Sequence, residues 1–198
     1  MTLILIPVLV LLNVLTGGGA ERARQGRAAL LGGRAPTAGV ARDADEPMRV
    51  AVVELAVADV SHGGDSRALR DWMVAEGIEP TALLRDALGR PETYGRTEEA
   101  RVTAVEGARV GEALSAEGLD ARRCTEPSCA ARIGTRLGAD RVVTGEVTKL
   151  SVLIWFVTAR VVDVPTGRVL RQEELEVKGV ITDLLPKVMV SLARRLTA

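Results

Sequence analysis

The side chains best suited to chemistry in this chain are its two cysteines, Cys124 and Cys129, held close together in the segment CTEPSC. A thiol pair can ligate a metal, exchange electrons, or close a structural bridge. A structural metal site needs about four ligands. Here the single histidine, His62, is distant in sequence, and there is no second cysteine pair to complete a set. The two-residue spacing of thioredoxin-like redox sites is absent as well. Two uses stay open. In an oxidising compartment the pair is a disulfide closing a small loop, worth about 2 kcal/mol through the restricted unfolded chain. If free, Cys129 lies at a helix entrance that lowers its pKa, which makes it a redox-responsive thiol.

Other reactive side chains form no catalytic set. His62 and Asp65 share the loop SHGGD, but no nucleophile stands at a spacing that would complete a triad, so they read as solvated loop residues. Gly63 and Gly64 are not followed by the Gly-Lys-Ser/Thr element of a phosphate loop. Gly64 is expected in an adaptable loop, whereas Gly167 is expected in a tight turn at positive φ, so a side chain at Gly167 should be the more damaging. Glu146 and Asp163 fall on strands and do not make a carboxylate pair; Asp163 precedes a turn, where aspartate bonds locally. Trp155 and Phe156 are adjacent on a strand and must point to opposite faces. Core packing on both faces is the expected arrangement, with an exposed partner contact as the alternative. No cofactor motif is present, and the chain does not read as an enzyme.

The elements that position these residues follow from periodicity and punctuation. RVAVVELAV, from Arg49, is apolar on both faces, the pattern of a strand covered on both sides. Helical spacing covers Ser66–Met73 and, more strongly, Thr81–Leu88 between Pro80 and Gly89. Arg101–Val105 is a short strand, and Ala108–Glu117 is a helix closed by Gly118. Ser128 is the expected N-cap of a helix over Cys129–Leu137, with Gly138 ending it. Strands over Arg141–Val147 and Leu153–Val164 come next. Pro165, Thr166 and Gly167 then turn the chain into Val169–Val177, and an amphipathic helix spans Leu184–Leu196. This order predicts an α/β fold: a mixed sheet of about five strands with helices on its faces, a C-terminal hairpin and a final helix.

The N-terminus reads as a separate unit. Leu3–Leu15 is an apolar run, followed by Gly18 and Ala20 at the positions a signal peptidase reads. The run is shorter than the roughly 20 residues of a spanning helix. Cleavage after Ala20 is the expectation. Arg22, Arg24 and Arg27 follow the run and no basic residue precedes it, an asymmetry that favours an uncleaved anchor on a cytoplasmic domain instead. No cysteine near the cleavage region supports lipidation. Residues 21–48 are rich in Ala, Arg, Gly and Pro and read as a flexible linker, leaving 49–198 as a single domain. The 198 residues carry no net charge, and aromatics make up 2%, so neither an electrostatic footprint nor stacking platforms for nucleic acid are present.

From RVAVVEL onward the order of elements resembles the curli-secretion-channel and TolB amino-terminal-like group of exported bacterial envelope proteins. The segments that carry the resemblance are RVTAVEGARVGEALSAEGL, CTEPSCAARIGTRLGADRVVTGEVTKL and ARVVDVPTGRVLRQEELEV. It implies a TolB amino-terminal-like fold and a non-enzymatic, periplasmic or envelope-associated module for protein binding or assembly, with envelope proteins as partners. It carries over no catalytic residue and no cofactor. A secretion channel is not implied, since amphipathic pore-forming strands are missing. The competing readings are a redox-responsive protein or small enzyme using Cys124 and Cys129, and a membrane-anchored cytoplasmic domain.

Overall fold

A computed structural model describes residues 46–90, 102–120 and 124–197; the expected leader, and the linker before residue 46, lie outside them. The chain runs β1 (Met48–Val52), β2 (Ala56–Asp59), α1 (Ser66–Ala75), α2 (Pro80–Leu88), β3 (Val102–Ala104), α3 (Gly107–Ala116), α4 (Pro127–Leu137), β4 (Arg141–Lys149), β5 (Ile154–Asp163), β6 (Val169–Lys178) and α5 (Ile181–Thr197). The fold is α/β. Six strands form one mixed sheet in the order β3-β1-β4-β5-β6, with β2 also pairing β4. β1 lies parallel to β3 and β4, β2 lies parallel to β4, and β4, β5 and β6 form an antiparallel meander.

Both faces of the sheet are covered, as the doubly apolar first run requires. On one face Val50, Val52, Val143, Val157 and Val161 pack with Leu69 and Met73 of α1, Leu84 and Leu88 of α2, and Leu185, Met189 and Leu192 of α5. On the other, Ala51, Val53, Val142 and Val162 meet Val110 and Leu114 of α3 and Ala130 and Ile133 of α4.

The run RVAVVELAV is not one strand. Val52 pairs with Val143 and Ala56 with Glu146, so the chain uses one more residue than β4 between those pairs. The extra residue acts as a bulge and inverts the alternation: Val50 and Val52 share their core with Leu55 and Val57. Leu55 N–H bonds to no strand and donates instead to Thr81 Oγ1 of α2 (3.0 Å).

Helix ends depart from the sequence expectations in instructive ways. Pro127, not Cys129, opens α4, and Glu126 holds the N-cap position without a side-chain bond. Ser128 therefore sits inside the first turn, because proline's fixed φ suits the first helical residue and starts the helix earlier. α1 begins after Asp65, whose carboxylate accepts from Arg67 N and Ala68 N. α2 is capped by Glu79 through Thr81 N and Ala82 N, with Pro80 next in the chain. α5 starts at Ile181, ahead of Leu184, and carries Pro186 within it. Burial of Ile181 and Leu185 in the core offsets the backbone bond that a proline removes.

Replacing Thr81 by valine keeps its volume but strands the buried Leu55 N–H. The expected loss is about 1–3 kcal/mol of unfolding free energy, read from chemical denaturation, with Thr81→Ser losing much less. Equal stability of the valine and serine variants would show that this bond is dispensable.

Candidate functional site

At the end of the sheet where β2 and β4 stop, the chain leaves a groove of about 650 Å³. Its floor is polar. Asp59 and Lys149 are neighbours in register, and Lys149 Nζ donates to Asp59 Oδ2 at 2.8 Å. The other carboxylate oxygen accepts from Ser61 N (3.1 Å) and from the Ser61 hydroxyl. The bond from Lys149, followed by those from Ser61, holds the Asp59 carboxyl below its ordinary pKa. Asp59 N–H donates in turn to Ser66 Oγ at the start of α1.

The walls are apolar and exposed. Trp72 from α1, Val152 and Leu153 from the β4–β5 connection, and Val180 before α5 line the groove. Val152 is 78% exposed, Leu153 56% and Val180 56%. Val60 and Leu150, also exposed, follow Asp59 and Lys149 directly, and Val60 N donates to Lys149 O (3.0 Å). Elsewhere, large exposed apolar side chains among the described residues are Val74 on α1 and Val169 and Leu170 beyond the hairpin turn. An exposed apolar patch of this kind marks a candidate binding surface.

The groove gathers the SHGGD loop around Asp59. His62 is exposed on its lining. The Ser61 hydroxyl is committed to Asp59, and Asp65 to the α1 cap, so no nucleophile–base pair forms there. Among the described residues no cluster of three or more His, Cys, Asp or Glu side chains could hold a metal ion, and no helix is long and apolar enough to cross a membrane.

Gly64 corrects an expectation. A Cβ there would fall 2.5 Å from Asp59 Oδ1 and 2.7 Å from Asp59 O, so the loop is packed tightly against the ion pair and cannot simply adjust. Gly167 does take positive φ (+66°), but its nearest neighbour would be Ala131 Cβ at 3.9 Å, leaving only backbone strain.

The remaining sequence candidates lie apart from the groove, except one. Trp155 is 2% exposed; its Nε1 donates to Val152 O (3.3 Å), and it lies beneath the groove as part of the core, offering a partner no surface. Phe156 is half-buried on the opposite face. Cys124 and Cys129 are joined with Cα atoms 5.3 Å apart, and Cys124 is buried in the α3–α4 core. Glu146 accepts from Thr148 Oγ1 (2.5 Å), and Asp163 accepts from Thr166 N and Oγ1 within the hairpin turn, each a local bond. The apolar groove was missed in the sequence. Its signal was present as SVL, three residues that break the β4–β5 alternation with no core to face.

The family described as "Protein of unknown function (DUF2380)" matches residues 48–195, from the first residue of β1 to near the end of α5. The chain belongs to this family. No curated protein matches it in sequence. Among solved structures it is similar to E. coli LpoB, at 16% identity over 88% of this chain and 85% of that one, with a TM-score of 0.48. It is also similar to the lipoprotein GNA1162 from Neisseria meningitidis (18%, 76% and 100%, 0.44) and to TolB from Acinetobacter baumannii (17%, 77% and 29%, 0.38).

Gly64→Ala should lower the denaturation midpoint more than Gly167→Ala. Overpacking costs about 1–3 kcal/mol, and the left-handed backbone at Gly167 about 1–2 kcal/mol for a non-glycine. The reverse order would show that the loop gives way. Cys124→Ala/Cys129→Ala should lose about 2 kcal/mol with no change in response to oxidant. An unaltered melting temperature together with a lost oxidant response would establish redox use of the pair.

Proposed function

We propose that this protein is an exported, non-enzymatic module of a bacterial envelope that works by protein contact through the groove beyond β2 and β4. One observation carries the reading: six large apolar side chains, Val60, Trp72, Leu150, Val152, Leu153 and Val180, stand exposed around one end of the sheet. Exposing that much apolar surface is costly for an isolated domain, and burial against a partner recovers it. Export is supported by the Leu3–Leu15 run with Gly18 and Ala20 behind it, and by a cysteine pair suited to an oxidising compartment. In this reading residues 1–20 are a leader, 21–48 a tether and 49–198 the working domain. Its partners are envelope proteins, it needs no cofactor, and it carries no lipid.

The test has two arms. A photo-crosslinking residue at Leu153 should capture a discrete partner in intact cells, one at the remote, exposed Arg132 should not, and Leu153→Asp should abolish capture from Val180 without lowering the melting temperature. Sequencing the mature N-terminus should find Glu21 first. Capture equal at Leu153 and Arg132 would overturn the groove reading, and an intact N-terminus would overturn cleavage.

A further inference from the structure

β6 ends the sheet on one side, and among the described residues only β5 pairs with it. Which of its backbone groups are free follows from register. Gly179 N donates to Leu153 O and Asp163 N to Arg168 O, so residues 171, 173, 175 and 177 exchange hydrogen bonds with β5. Gln172, Glu174, Glu176 and Lys178 then turn their N–H and C=O groups outward. All four have exposed side chains. They stand on the face of Phe156 and Thr158, opposite the one that α5 covers. An open row of this length is a template for another strand.

The charges on this row select what pairs with it. Between Gln172 and Glu176 the strand reads QEELE, with no cation. Glu173 is engaged by Arg195 (3.5 Å) and Glu176 by Lys178 (3.1 Å), whereas Glu174 has no cationic partner among the described residues. A second copy fits poorly. Antiparallel self-pairing through the middle of the strand, centred on Glu173, Glu174 or Leu175, sets Glu against Glu; registers centred on Glu176 or Val177 bring Glu174 or Glu176 opposite Lys178 but sit at the end of the strand and pair few residues. Like charges directly opposite are destabilising. We propose that the outer edge of β6 accepts an extended segment of a protein partner that carries Lys or Arg at alternate positions, facing Glu174 and Glu176. Main-chain bonds to residues 172–178 hold the segment and the carboxylates choose its charge. This deepens the protein-contact reading with a second surface, whose Lys178 end adjoins the groove at Leu153 and Val180 and whose Gln172 end lies away from it.

The test titrates the full chain with a labelled peptide of about ten residues in which Lys alternates with Thr. Controls are the same peptide with Glu for Lys, and the Lys peptide interrupted by proline. The Lys peptide should bind saturably, weaken with salt, and slow amide exchange at Gln172, Glu174, Glu176 and Lys178. Glu174→Pro removes an outward N–H while leaving the β5 ladder intact, and should weaken binding by about tenfold or more at unchanged melting temperature. Glu174→Lys/Glu176→Lys should transfer preference to the Glu peptide. Trp72→Asp, on the α1 wall of the groove, should leave peptide binding unchanged, so failure at the edge and failure of the groove are separable. The proposal is overturned by no binding of the Lys peptide, by equal binding of its proline-interrupted form, or by undiminished binding to Glu174→Pro. A dimer that Glu174→Pro dissolves would assign the edge to a second copy instead.

Discussion

The hydrogen bond from Leu55 N–H to Thr81 Oγ1 sits where the architecture changes plan. Before it, the chain is a strand covered on both faces, between β3 and β4. After it, β2 resumes beside the second half of β4 with its alternation inverted. A bulge in a buried strand leaves a polar group without a ladder partner, which costs free energy comparable to a lost hydrogen bond. Thr81 supplies the partner, and in doing so ties α2 to the sheet. Thr81 is one of two buried polar or charged residues among the described residues, Thr144 being the other, which marks the position as structural.

The shape of the groove follows from that bulge. Because β2 continues along β4, Asp59 and Lys149 arrive side by side at the sheet's end and pair. Asp59 then organises the next turn through Ser61 and Ser66, and Gly64 closes against it. The sign of its lowered pKa matters for stability. Ionised Asp59 favours the folded state at and above the ordinary carboxylate pKa of about 3.9, and that contribution fades only as pH falls through its lower folded value. The ion pair on the floor of the groove is therefore kept at neutral pH. Apart from Trp72 on α1, the groove's apolar rim sits on connections between elements, where no core constrains the side chains.

The disulfide belongs to the other side of the sheet. Cys124 is part of the cluster that joins α3 and α4 to Ala51, Val53 and Val142, and the bridge anchors the start of α4 to it. α4 begins at a proline without a side-chain cap, so the bridge restrains an entrance that polar capping leaves loose. The bridge lies on the sheet face opposite α1 and α5, where Thr125 beside it shares a small cavity with Thr158 and Arg160 of β5.

Much of the fold was legible because local signals agreed with tertiary ones. The Asp163–Gly167 turn, Gly138 after α4, and the apolar runs of β4 and β5 each carry a rule that operates within a few residues. The adjacency of Trp155 and Phe156 likewise determined that they face opposite ways, since strand alternation leaves no other choice. Three things needed the folded chain. RVAVVELAV divides into two strands because its partner β4 is one residue shorter over the same span, and no local signal counts a partner's residues. Gly64 is confined because Asp59 lies against it, a contact whose distance the loop's composition does not record. The groove exists because residues from three separate stretches, 59–72, 149–155 and 180–182, converge where the sheet ends, and apolar residues in connections look in sequence like any other core residues. Sequence alone determined alternation and turns, which are properties of near neighbours. Which apolar side chains stay exposed was decided by how the elements pack, because burial depends on everything that arrives from elsewhere in the chain.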